Sequence, residues 1–141
     1  TVADSERRKI YGCVEQSTHM VPGSIRDQIT LFDREISDED VVRAAKLVGL
    51  DDTIRSFENG YDTPCTPSML SQGQWQLLSI ARAVAADPRI LLLDEITANL
   101  DAETEEKVLE ALKRASASRT VLSISHRLFE HTGGRIINIA P

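Results

Sequence analysis

The sequence predicts an α/β protein, a parallel sheet interrupted by a mostly helical insertion, and three observations carry that prediction. Ile90–Leu93 (ILLL) is a continuous apolar run of strand length, the pattern of a strand covered on both faces. It ends in two carboxylates, Asp94 and Glu95, and open α/β sheets gather their ligands at the carboxyl ends of their strands. From Asp87 onward the patterns run strand, helix, strand, short helix, strand, which implies right-handed parallel crossovers. Residues 17–86, by contrast, read as mostly helical.

Taken from its start, the chain opens on a polar lead-in over residues 1–9. Ile10–Val14 then reads as a short strand, followed by Glu15 and Gln16. Residues 17–33 read as a loop, with Pro22-Gly23 as its turn signal. Ser37 with Asp40 three residues on resembles a capping box, Asp standing in for the usual Glu. Val41, Val42, Ala45 and Val48 continue at helical spacing up to Gly49. Asp51 or Asp52 is the expected cap of a second short helix through Phe57, closed by Asn59-Gly60, and residues 61–69, with two prolines, read as an ordered loop.

Ser71 is a good N-cap, and the N–H groups behind it make a helix start that favours an anion. Leu77, Ile80, Ala81 and Val84 give this helix a buried stripe, and Pro88 should stop it near Asp87. Asp101 is the expected cap of AETEEKVLEALKRA, whose Val108, Leu109 and Leu112 face inward. Its acidic residues crowd the first turn and Lys113 and Arg114 the last, an order that suits the helix dipole. Thr120–Ser123 reads as a second buried strand leading to Ser125 and His126. A helical turn and Gly133-Gly134 then lead to a last strand over Ile136–Ile139.

Bulk properties narrow the function classes. The net charge of −6 and the lack of a basic stripe argue against a nucleic-acid partner. Cys13 and Cys65 have no CxxC partner, so neither a disulfide framework nor a zinc site is expected, and a reduced setting fits best. No apolar run approaches a membrane span and no signal peptide is visible, so the chain itself is expected to be soluble. It begins at Thr1 rather than at a methionine, as a piece of a longer protein would.

Five stretches, in order and spacing, resemble the ATP-binding cassette (ABC) ATPases. Leu70-Ser71-Gln72-Gly73-Gln74 resembles the family's signature motif, Ile90–Glu95 its Walker B strand and Ala98-Asn99-Leu100-Asp101 its D-loop. Ser125-His126-Arg127-Leu128 resembles the H-switch, and Gln16 stands where the Q-loop glutamine belongs. Gly23–Ile29 (GSIRDQI) and Gly60–Thr63 (GYDT) further resemble the exporter branch, whose ATPase is usually fused behind a transmembrane domain. Three departures stand out. Gln72 replaces the signature's first glycine, Pro64–Met69 lacks the acidic, glycine-containing pattern usual before the signature, and no GxxxxGKS or GxxxxGKT occurs anywhere. The phosphate loop and the adenine-stacking aromatic would then lie upstream of Thr1.

The resemblance implies a partial RecA-like P-loop NTPase core, a parallel sheet missing its phosphate-loop strand, with an inserted α-helical subdomain. Residues 1–16 would be the end of a core strand leading to the Q-loop, 17–86 the helical subdomain with the signature motif, and 87–141 the C-terminal part of the catalytic core. Without the missing strand, the last segment must re-pair, detach or join another molecule. The resemblance makes Glu95, His126 and Gln16 catalytic, with Asp94 and Gln16 holding Mg²⁺. Ser71, Gln72, Gly73, Gln74 and Asp101 would contact ATP held by an opposite protomer. The implied partners are ATP, a second nucleotide-binding domain and a transmembrane domain fused upstream, at the cytoplasmic face of the plasma (inner) membrane. The 141 residues alone would be inactive. Two rivals remain at this point: a non-transport ABC ATPase of DNA repair or translation, and a catalytically dead interaction module.

Overall fold

In the computed structural model, which describes residues 9–14, 20–93, 101–117, 119–123 and 135–138, four strands make one parallel sheet. They are β1 (Tyr11–Val14), β2 (Ile90–Leu93), β3 (Thr120–Ser123) and β4 (Arg135–Asn138), neighbours in that order. Between β1 and β2 come α1 (Ile25–Thr30), α2 (Asp38–Leu47), α3 (Asp51–Arg55) and α4 (Gln72–Val84), and α5 (Ala102–Ser116) crosses from β2 to β3. The expected α/β class is thus the observed one. Leu91 and Leu93, which share one face of β2, are 0% and 3% exposed, whereas Ile90 and Leu92 on the other face are half-buried, so the strand expected to be covered on both faces is closed on one and partly open on the other. β1 passes so close under the end of α4 that a Cβ at Gly12 would sit 2.5 Å from the Ala83 carbonyl oxygen, and only glycine fits there.

The last strand is the sheet's main departure from expectation. Its described part is Arg135–Asn138, starting one residue before the expected Ile136, while Ile139 lies outside the described residues. It lies directly against β3, with Thr120 opposite Arg135 and Ser123 opposite Asn138. Of the three fates left open for this segment, it takes the first and re-pairs.

The helices correct the sequence reading in three places. α1 occupies part of the stretch read as loop. Ser24 and Asp27 cap it reciprocally: Asp27 N–H donates to Ser24 Oγ at 3.3 Å and Ser24 N–H to Asp27 Oδ2 at 2.8 Å. Ile25, Gln28 and Ile29 bury one face of it completely, so six residues suffice because packing, not length, stabilises them. It ends on two consecutive left-handed residues, Leu31 (φ 52°) and Phe32 (φ 64°). α4 stops at Val84, a little before the expected Asp87. α3 ends at Arg55 and is capped at Leu50 with no side-chain hydrogen bond.

Asp51, expected as a cap, is spent differently. Its buried carboxylate accepts the Tyr61 hydroxyl and, through both oxygens, Arg55 Nε at 3.0 Å, while the Arg55 guanidinium lies 5.9 Å from the Tyr61 ring centre. Residues 61–69 are ordered, as expected, as parts of two 3₁₀ turns, Gly60–Asp62 and Pro67–Met69. They are pinned to α1 by Ile25 N–H to Thr63 O (3.0 Å) and Cys65 N–H to Gly23 O (2.9 Å), and Arg26 pairs with Asp62.

The Tyr61 hydrogen bond holds the Asp51 carboxyl below the usual carboxylate range, with Arg55 assisting. Its contribution is therefore complete above the ordinary carboxylate pKa of about 3.9 and is lost as pH falls through the lower folded value. Tyr61→Phe is expected to cost about 1–3 kcal/mol in urea unfolding at pH 7. The gap to wild type should narrow below about pH 4; an unchanged urea midpoint at pH 7 would rule this network out as a stabilising one.

Candidate functional site

Two helix starts meet at the site. At α4, Ser71 Oγ accepts the Gln74 N–H at 3.1 Å and Gln74 Oε1 accepts the Ser71 N–H at 2.9 Å, a closed capping box. Helix geometry leaves the Gln72 and Gly73 N–H groups outside the ladder. At α5, Asp101 Oδ1 accepts the Thr104 N–H at 2.7 Å, and the Thr104 hydroxyl, together with this backbone bond, holds the Asp101 carboxyl below its usual range. The first turns touch, because a Cβ at Gly73 would overlap the Thr104 methyl carbon. Ser71, Gln72 and Asp101 are exposed, Gln74 is half-buried, and Gly73 is buried beneath Thr104.

Their electrostatics differ. The first turn of α5 carries Glu103 and Glu105 beside Asp101, which offset the positive end of its dipole. The first turn of α4 carries no acidic residue, so its positive end stays open to an outside anion.

The second group of candidates is fixed by register. Val14 pairs with Leu93, and Leu93 with Ser123, so three parallel strands end level at one edge of the sheet. Gln16 follows β1 by two residues, Asp94 and Glu95 follow β2 by one and two, and His126 follows β3 by three. Three residues of chain reach at most about 11 Å. Gln16, Asp94, Glu95 and His126 themselves, with Ala98–Leu100 and the expected turn around Gly133-Gly134, lie outside the described residues. Among the described residues no cluster of three His, Cys, Asp or Glu could hold a metal ion, and no helix is long and apolar enough to cross a membrane.

The sequence reading missed Gln28. Fully buried on α1, its amide accepts the Val21 N–H (2.9 Å) and donates to Val21 O (2.7 Å), while Arg82 of α4 donates to the Gln28 carbonyl (2.6 Å). It thereby ties the stretch downstream of Gln16 to the helix that begins at Ser71. The signal was present: Gln28 falls on the same face as Ile25 and Ile29, and a buried amide must find partners. Trp75 packs against the core and donates Nε1–H to Pro67 O at 3.0 Å.

A cleft of about 450 Å³ opens near the opposite end of β1, beside Lys9, Glu35, Arg43 and Asp87. Most of its charges are paired, Lys9 with Glu35 (3.0 Å), Arg43 with Asp40 (3.2 Å) and Asp87 with Arg119 (3.2 Å), and Asp33 accepts the Glu35 N–H at 2.9 Å.

Residues 2–98 match the family model described as ABC transporter. The mycobactin import ATP-binding/permease protein IrtA of Mycolicibacterium smegmatis is 42% identical over 97% of this chain and 17% of its own length. The human mitochondrial potassium channel ATP-binding subunit is 43% identical over 93% of this chain and 18% of its own. The leptomycin B resistance protein pmd1 of Schizosaccharomyces pombe is 40% identical over 88% and 9%. The chain thus spans less than a quarter of the length of the curated relatives it matches.

Because the Ser71 side chain holds the first turn of α4 closed, Ser71→Ala is expected to destabilise the chain by about 1 kcal/mol, and Ser71→Gly by only a few tenths. Urea unfolding of the two variants checks this; equal losses would show that the hydroxyl is not acting as a cap.

Proposed function

The chain belongs to the ABC transporter family, and on that premise we propose that it is part of the nucleotide-binding domain of an exporter-type member. The whole protein would hydrolyse Mg·ATP at an interface between two such domains and couple it to transport through a transmembrane domain. The observation that supports this reading is the level ending of β1, β2 and β3, the three strands that Gln16, Asp94 with Glu95, and His126 follow in the sequence.

Each residue then has a task. Glu95 takes the proton of the attacking water, the work of a carboxylate placed beyond a buried strand. His126 contacts the γ-phosphate, and Gln16 orients the water. Asp94 and Gln16 offer only oxygen donors, the set that suits Mg²⁺, and the bound ion would neutralise phosphate charge. The open start of α4, through Ser71, Gln72, Gly73 and Gln74, meets the γ-phosphate of ATP held by the opposite protomer, with Asp101 at the same interface.

The exporter assignment draws on GSIRDQI and GYDT, which fold against each other through the Arg26–Asp62 pair and the Ile25–Thr63 bond. A membrane partner draws on the relative named as an ATP-binding/permease protein. The domain would work at the cytoplasmic face of the membrane. The cargo differs among the relatives' names, so it is not carried over.

In the intact protein, Glu95→Gln is expected to lower ATPase kcat at least ~100-fold while ATP still binds. Full activity in that variant would remove Glu95 from the reaction. The 141 residues hold no GxxxxGKS or GxxxxGKT, so calorimetry of this chain with Mg·ATP should show no tight binding; micromolar affinity would contradict the proposed division of the site.

A further inference from the structure

Gly73 has two faces. One belongs to the start of α4, where a phosphate is proposed to approach. The other is covered by Thr104, the third residue of α5. A Cβ built at Gly73 would overlap Thr104 Cγ2, yet would stand 3.4 Å from Thr104 Cβ and 3.6 Å from its Oγ1, both ordinary contacts. The conflict therefore comes from one methyl group. Thr104 also gives its backbone N–H to Asp101 Oδ1, so a single residue touches the glycine of one motif and holds the aspartate of the other. Threonine divides between two rotamers in a helix, and the bond of the Thr104 hydroxyl to Asp101 favours the one that aims its methyl at Gly73. The backbone of Gly73 is not in the left-handed region, so glycine is not required there for its own conformation.

We infer that Thr104 is a positioning residue: its methyl group, wedged into the space left by the missing side chain of Gly73, fixes the signature turn against the D-loop aspartate so that Ser71, Gly73 and Asp101 are presented as one rigid unit. This rests on the nucleotide-binding reading above. On that view glycine at 73 serves the neighbouring helix as much as the phosphate. A substitution there harms the site by prising α4 and α5 apart, and the harm is reversible by trimming residue 104.

The test removes only the conflicting atom. Gly73→Ala is expected to lower the Tm of the 141-residue chain by about 5 °C and to lower ATPase kcat in the intact protein about tenfold or more. Adding Thr104→Ser, which lacks Cγ2 but keeps the hydroxyl and the backbone donor, should restore Tm to wild type and kcat to within about threefold, a window that separates rescue from a tenfold loss. Adding Thr104→Val instead, which keeps a methyl in that place, should restore neither. A Gly73→Ala chain with unchanged Tm would refute the wedge. Restored Tm with kcat still lost would show that Gly73 acts only through phosphate approach, which also overturns the inference. An intact wild-type protein without any ATPase would instead sink the functional reading, and the Tm series would still decide whether the wedge exists.

Discussion

The burial of α4 is the constraint from which the other positions follow. β1, α1, α2 and α5 all pack on this one helix. Its residues Gln76–Ala81, Ala83 and Val84 are buried, so it has almost no free face over its second half. Leu78 and Ile80, each 0% exposed, contribute roughly 1.5–3 kcal/mol apiece. Neighbours on every side force small residues at the closest approaches: Gly73 where α5 crosses, Ala83 where Gly12 of β1 passes beneath. A helix held this way turns its exposed beginning into a fixed point, and Ser71 is that beginning.

Polar contacts extend this control to segments that α4 does not cover with apolar surface. Arg82 reaches the Gln28 carbonyl, and Gln28 grips Val21, so the stretch between β1 and α1 is referred back to α4 through two buried or half-buried links. The Asp51–Tyr61–Arg55 cluster likewise ties the turn after α3 to α3 itself. Where the apolar core ends, hydrogen bonds to buried partners continue the same geometric argument, and each would be costly to leave half made.

Much of this was legible in the residues. β2, α4 and α5 follow from long or uninterrupted apolar patterns with strong caps. The capping box at Ser37 and the N-cap at Ser71 read directly from the residues, while the structure adds Gln74 as the other half of the box at Ser71. α1 is hidden in the sequence because six residues give no periodicity to count, and the turn signal of Pro22-Gly23 stands directly before the start signal of Ser24 and Asp27. Asp51 was misjudged because a carboxylate at a helix start serves equally as a cap or as the acceptor for a distant hydroxyl, and Tyr61, ten residues on, decides which. The partner of β4 could not be read at all, since strand pairing is a property of the sheet and four residues carry no address. For the candidate site, the types and spacing of Ser71, Gly73 and Asp101 were visible, whereas the role of Thr104 depends on two helices meeting.

The order of strands in the sheet is also their order in the chain, and this has a consequence for connectivity. Closing β3 on β4 spans a short stretch, while closing β1 on β2 spans one about five times longer, an added entropic cost of about 1.5 kcal/mol for a flexible tether. This tether is not a free chain. About half of its described residues are folded into α1 to α4, and the end of α4 lies on Gly12 itself. The insertion thus acts as a spacer of set length, delivering the first strand to its neighbour.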